Sequence, residues 1–170
     1  MHFEIEQRFP APAVDVEAAF TDPALLEPIA ELSPLGRPEL LEQVDDGTIV
    51  RRRVRYAFTG HLSAGARAVV DPHRLTWVAV SVLDRVTHRT EVEIVPDHYP
   101  DRLHCTAAVT LHEQGGVTRR VMKGDLRVTV AFVGPRVEHA IVSGLRRHAT
   151  AEEQVVQRWL DDHGAPRNER

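Results

Sequence analysis

The chain has 170 residues, 42% apolar and 27% charged, with a formal net charge of −4. These are the values of one ordinary globular domain long enough to bury a core. They exclude a general attraction to nucleic acid or anionic lipid, and the single cysteine, Cys105, excludes an internal disulfide or a thiolate metal cluster.

The opening MHFEIEQRF alternates with period two, placing Phe3, Ile5, Gln7 and Phe9 on one face and His2, Glu4, Glu6 and Arg8 on the other. That predicts a half-buried strand and not a signal peptide. PAPAVDVEAAFTDPALLEPIAEL predicts two short helices. Val16, Ala19 and Phe20 keep helical spacing, and Asp22-Pro23 breaks the chain and restarts it through Leu32. From Gly36 the period becomes two, with RPELLEQV and TIVRRRVRYAF flanking the hairpin signal Asp46-Gly47. HLSAGARAVVDPH, residues 61–73, is Ala-rich between a candidate N-cap, Ser63, and the stop Asp71-Pro72. It reads as a short helix or helical loop, and its use as a lid stays open.

Four more strands follow: LTWVAVSVL, HRTEVEIV, LHCTAAVTL and VTRRVMKGDLRVTVAFV. Turns at Asp84-Arg85 and Gln114-Gly115-Gly116 and the loop PDHYPD join them. Gly134-Pro135 opens a long amphipathic helix, with Pro135 in the first turn where its missing N–H costs nothing. It runs roughly 27 residues, or about 40 Å. The tail HGAPRNER is expected to be frayed, residues 163–170 being disordered. Residues 1–162 thus form a single α+β domain of about seven antiparallel strands and one long helix, with two short helices after the first strand.

This order resembles the START-like helix-grip superfamily, SRPBCC, which includes birch pollen allergen, START lipid-transfer domains and polyketide aromatase/cyclases. Three segments carry a narrower resemblance to an actinobacterial branch of unassigned function: FEIEQRFPAPAVDVEAAFTD, LSAGARAVVDPHRLTW and FVGPRVEHAIVSGLRRHATAEEQVVQRWL. The resemblance runs from Phe3 to Leu160. It implies a curved antiparallel sheet wrapped around the C-terminal helix, with a mostly apolar cavity between them. Members use that cavity for lipids, sterols, hormones or polyketides. No universal catalytic motif exists in the superfamily, so no catalytic residue transfers.

If the sheet is hollow, inward strand positions line the cavity. Parity puts Arg52 and Tyr56 on one face with Val50, Val54 and Phe58, and puts Arg51, Arg53 and Arg55 on the other. It groups His88 with Thr90, Val92 and Ile94, and Met122 with Arg120, Leu126, Val128 and Val130. Trp77 lies on a strand with two fairly apolar faces, so parity leaves its orientation open. On the helix, Ile141, Leu145, Val156 and Trp159 make an apolar stripe that His148 and Glu152 interrupt, four residues apart and therefore neighbours. An ionised group against packed hydrocarbon costs several kcal/mol, roughly. The pair therefore fits either a wet or ligand-bearing cavity, or a rim where the last turns project into solvent.

The ten histidines show no H-x-x-x-H or H-E-x-x-H spacing, and His139 lies two and a half turns from His148. No metal is therefore expected. No nucleotide loop appears, and RRRVR alternates faces without interleaved aromatics, so no nucleic-acid partner or cofactor is expected. Cys105 shares its parity with Leu103, Ala107, Val109 and Leu111 and reads as an inert buried thiol.

The leading expectation is binding of a small hydrophobic ligand (lipid, polyketide or aromatic metabolite) by a cytoplasmic protein without a membrane-integral segment. The candidate ligand-binding residues are Arg52, Tyr56, Trp77, His88, Met122, Ile141, Leu145, His148 and Glu152. Two alternatives stand beside it. One is a cyclase, dehydratase or hydrolase with His148 as base and Arg52 polarising a carbonyl. The other is a protein-partner module. The choice of monomer or homodimer is open.

Overall fold

The computed structural model describes residues 1–31, 37–58 and 71–163. Strands β1 (His2–Phe9), β2 (Glu39–Asp45), β3 (Ile49–Ala57), β4 (Thr76–Asp84), β5 (Arg89–Pro96), β6 (Leu103–Gln114) and β7 (Val117–Val128) form one antiparallel sheet. The helices are α1 (Ala13–Thr21), α2 (Leu26–Ala30) and α3 (Gly134–His163). This is the START-like helix-grip architecture: a curved sheet, a long C-terminal helix, and short helices after the first strand. Of the segment 61–73, only the short 3-10 turn Pro72–Arg74 begins within the described residues. Residues 61–70, Leu32, and the tail beyond His163 lie outside them.

Local chemistry sets the turns. Gly47 has φ +90° between β2 and β3, and Gly115 and Gly116 have φ +61° and +76° between β6 and β7. Tight antiparallel hairpins require that left-handed backbone, which glycine adopts without strain. Asp46 completes the first hairpin by accepting from Thr48 N and Ile49 N at 2.9 and 2.7 Å. The expected strand start at His88 is instead a turn with φ +52°. β5 begins at Arg89, and β7 stops at Val128, short of Val130.

The sheet order is β1-β7-β6-β5-β4-β3-β2. The first strand therefore closes against the last, and β5 is the middle strand of seven. At the other edge, Leu40 pairs with Val54 and Glu42 with Arg53, leaving Leu41 as a bulge.

Helix α3 rests on β1 and β7, and its C-terminal half is also covered by α1 and α2. Its most buried positions are Val142, Ala149, Val156 and Leu160, together with Val155. The expected stripe of Ile141, Leu145, Val156 and Trp159 is therefore rotated from the observed contact line. The reason is the two-sided packing: Val155 and Trp159 belong to the cluster that includes Val16, Ala19 and Leu25. Ile141 and Leu145 are only partly buried and flank a second cluster of Phe3, Ile5, Leu126, Val142 and Ala149. Gly124 permits the tight approach there, since a Cβ would stand 2.5 Å from Phe3 Cζ and 2.7 Å from Thr106 O.

Candidate functional site

A polar layer separates the two apolar clusters. On β1, Phe3 and Ile5 belong to one cluster and Phe9 to the other, with Gln7 between them at 2% exposure. Gln7 Nε2 donates to Ala149 O at 2.7 Å and to Glu152 Oε2 at 3.2 Å. Its Oε1 accepts from Arg120 Nη1, and the β1–β7 register places Arg120 directly opposite Gln7. Arg120 also stands 3.8 Å from Glu152 Oε2, with its Cζ 4.1 Å from the centre of the Phe20 ring. Burial depresses the Arg120 pKa, and Glu152 opposes that shift. So the carboxylate on the apolar helix face is held by a cation and an amide, not by hydrocarbon.

His148 Nε2 lies 3.9 Å from Glu152 Oε1, beyond hydrogen-bond length, and its Nδ1 is buried without a partner. The two side chains are 22% and 15% exposed, so the pair lies in the interior and not out in solvent past the sheet.

β3 supplies the second half of the site. Val50, Arg52, Val54 and Tyr56 point inward, while Arg51, Arg53 and Arg55 are exposed and pair with Asp46, Glu42 and Glu39. Trp77 is placed by its partner: it pairs with Tyr56 across β3 and β4, and the two rings stack 6.0 Å apart at 18°. Trp77 therefore faces inward. Arg52 Nη1 donates to Phe20 O at 2.8 Å, and its Nε and Nη2 are buried with no partner. Gln43, opposite Arg52 on β2, donates from Nε2 to Thr21 O at 3.1 Å and leaves Oε1 bare. Burial pushes the Tyr56 hydroxyl up to about 12, with Glu152 adding to the rise and Arg52 opposing it. Tyr56 thus lies within electrostatic reach of both halves.

Strands β4 to β6 form an apolar wall for this region. Paired positions put Ala79, Ser81, Val92, Ile94, Cys105 and Ala107 on the inward face. All six are only partly buried, although β5 is the middle strand. Burial pushes the Cys105 thiol up to about 11, so at neutral pH it is protonated and unreactive.

Arg52, Tyr56 and Trp77 are therefore together on β3 and β4, and Glu152 and His148 lie across from them on α3. Met122, Ile141 and Leu145 sit beside the layer against the Phe3 cluster. His88 is apart: its Nδ1 is 2.7 Å from Glu17 Oε1, in a pair that ties the β4–β5 turn to α1. Sequence reasoning passed over Gln7, Arg120 and Gln43 as site residues. The available signal was a polar residue within an apolar parity set, Gln7 between Ile5 and Phe9 and Arg120 beside Met122. A surface cleft of about 410 Å³ near Met1, lined in part by His104, Asp125 and Glu138, lies apart from the layer. Among the described residues no His, Cys, Asp and Glu set is arranged to hold a metal, and no helix is long and apolar enough to cross a membrane.

A family model described as a protein of unknown function, DUF2505, matches residues 4–160. No curated protein matches the chain. Among solved structures, TTHA0849 from Thermus thermophilus is 17% identical, with TM-score 0.68 over 94% of this chain and 99% of that one. The Zhui aromatase/cyclase from Streptomyces sp. R1128 is 15% identical, with TM-score 0.67 over 100% and 99%. A START superfamily protein from Mycobacterium smegmatis is 15% identical, with TM-score 0.56 over 93% and 98%. At these identities the shared property is the fold.

Proposed function

Taking as premise that the chain belongs to the DUF2505 family and folds as a START-like helix-grip domain, we propose that it binds a small, mostly apolar molecule between sheet and helix. The observation that carries this reading is the incomplete burial of the middle of the sheet. Thr90, Val92 and Ile94 of β5 point inward yet stay half-buried. A side-chain-filled interior buries such positions first. The β4–β6 wall is apolar, and Arg52, Gln43 and His148 add buried polar atoms that have no hydrogen-bond partner. A mostly apolar pocket with a few convergent polar groups is the usual form of a small-molecule site.

Native mass spectrometry of the purified protein, with solvent extraction of retained metabolites, tests the reading. A mass increment released on denaturation is expected. A protein that retains nothing and takes up no apolar fluorescent probe refutes it.

A second reading is favoured by His148. Its Nδ1 is buried and free, and Glu152 lies behind its Nε2. A general base for a cyclase, dehydratase or hydrolase step needs a free ring nitrogen, and a carboxylate 3.9 Å away favours the imidazolium by its charge without bonding to the ring. The aromatase/cyclase neighbour makes a polyketide-like or aromatic substrate the natural one to try. On this reading His148→Ala removes turnover and leaves binding largely intact. If the variant turns over at the parent rate, His148 is not the base; if the wild-type chain turns over none of the substrates tried, the protein is a carrier.

A further inference from the structure

Arg52 enters the interior with half of its guanidinium in use. Nη1 holds Phe20 O at 2.8 Å, at the end of α1, and Nε and Nη2 are buried and bare. Those two atoms share one edge of the planar group. Their N–H bonds on that edge run parallel and are spaced to meet the two oxygens of a carboxylate. A buried cation with two empty donors is an expensive arrangement unless something occupies it.

The protein's own nearby carboxylates are engaged elsewhere. Asp22 accepts from Trp159 Nε1 at 2.8 Å and from Ala24 N at 2.8 Å. Glu152 is held by Gln7 and Arg120, and Glu17 by His88. Among the described residues no carboxylate bonds to the unpartnered Nε–Nη2 edge of Arg52. Burial pushes the Arg52 pKa down, and Asp22 opposes that shift by its charge without bonding to the guanidinium.

Gln43 narrows the anion further. Its Nε2 is fixed on Thr21 O, so the atom it leaves bare opposite Arg52 is an acceptor, Oε1. A planar carboxylate fills the Arg52 edge with two oxygens and brings no third. A phosphate or sulfate carries additional oxygens that an acceptor at this position repels.

We propose that the guest is an apolar carboxylic acid, bound with its carboxylate bidentate on the Nε–Nη2 edge of Arg52 and its hydrocarbon along the β4–β6 wall. This rests on the reading of the interior as a guest site. The Tyr56 hydroxyl, four residues along the same face of β3, stays protonated at neutral pH and supplies a further donor on that side.

The test is a matched ligand panel against the full chain. It comprises straight-chain fatty acids of graded length and naphthoic acid, each compared with its own amide, and alkyl phosphates of the same lengths. Affinities are read by calorimetry and by displacement of an apolar fluorescent probe. Acids are expected to bind at least about tenfold more tightly than their amides, since a hydrogen-bonded charge contact is worth that much. Alkyl phosphates are expected to be weaker than the acids. Arg52→Gln should abolish the preference for acid over amide while amide binding persists, which also shows that the variant is folded. Arg52→Lys keeps the charge, loses the two-donor edge, and should keep only part of the preference.

Acids and amides binding alike, phosphates outranking acids, or a preference that survives Arg52→Gln would each overturn the inference and leave the guest site standing. Failure of the whole panel and of the apolar probe would overturn both. If Arg52→Gln does not fold, the wild-type ranking and Arg52→Lys decide.

Discussion

Strand β1 is an edge strand and β5 is the middle one, yet their burial is inverted. Phe3, Ile5, Gln7 and Phe9 are 3%, 8%, 2% and 0% exposed, whereas the inward residues of β5 are all half-buried. The difference shows that burial in this fold follows the helix and not rank in the sheet. Helix α3 lies on β1 and β7, and the curved sheet carries β3 to β5 away from it. One side of the interior is a packed core and the other is a half-buried wall, with Gln7, Arg120 and Glu152 at the boundary.

The largest expected effect contrasts the two sides directly. Phe9 is fully buried and meets Phe20 edge-on at 5.8 Å. Phe9→Ala should cost about 3–5 kcal/mol of unfolding free energy in urea denaturation. Ile94→Ala on the open wall should cost less than about 2 kcal/mol, since much of its surface is already unburied. Equal losses would mean that the wall is as tightly packed as the core. At the boundary, Arg120→Met strands Glu152 and Gln7 and should cost about 3 kcal/mol or more. The double variant Arg120→Met with Glu152→Leu should recover most of that loss, because no buried charge is then left alone.

A smaller contrast uses enlargement. Ala149→Leu, in the packed half, should destabilise by about 1–3 kcal/mol. Ser81→Leu, on the wall between Arg52 and Val92, should leave stability nearly unchanged and weaken uptake of an apolar probe. The smallest effect is alkaline. The folded-state pKa of Tyr56 lies at about 12, above its ordinary value of 10.0, so the unfolded chain loses this proton first. Stability from this group is complete below about pH 10 and declines as pH rises toward about 12. Tyr56→Phe should flatten that limb of the stability profile.

Much of the fold was legible because strand parity is rigid. The inward sets of β1, β3 and β5 follow directly from a period of two, as does the outer row Arg51, Arg53 and Arg55. The strand period reached one residue too far: His88 lies in the β4–β5 turn with a positive φ, and its ring meets Glu17 of α1. Trp77 was undetermined because only its pairing with Tyr56 fixes its face. Helix α3 was harder to read, since α1 and α2 bury a second side of its C-terminal half. His148 and Glu152 were visible as anomalies on an apolar stripe. Their partners were not, because the contact between Gln7 and Arg120 depends on a register joining residues 113 positions apart in the chain.

The bulge at Leu41 has a consequence for solubility. Among the described residues strand β2 has no strand beyond it, and a straight, neutral margin invites another chain to add itself by main-chain pairing. Here the extra residue kinks the ladder, and the ion pairs of Glu39 with Arg55 and Glu42 with Arg53 set charged side chains beside it. An approaching copy would meet a bent template bearing charged, hydrated side chains, so growth of the sheet from molecule to molecule is discouraged where it would otherwise begin.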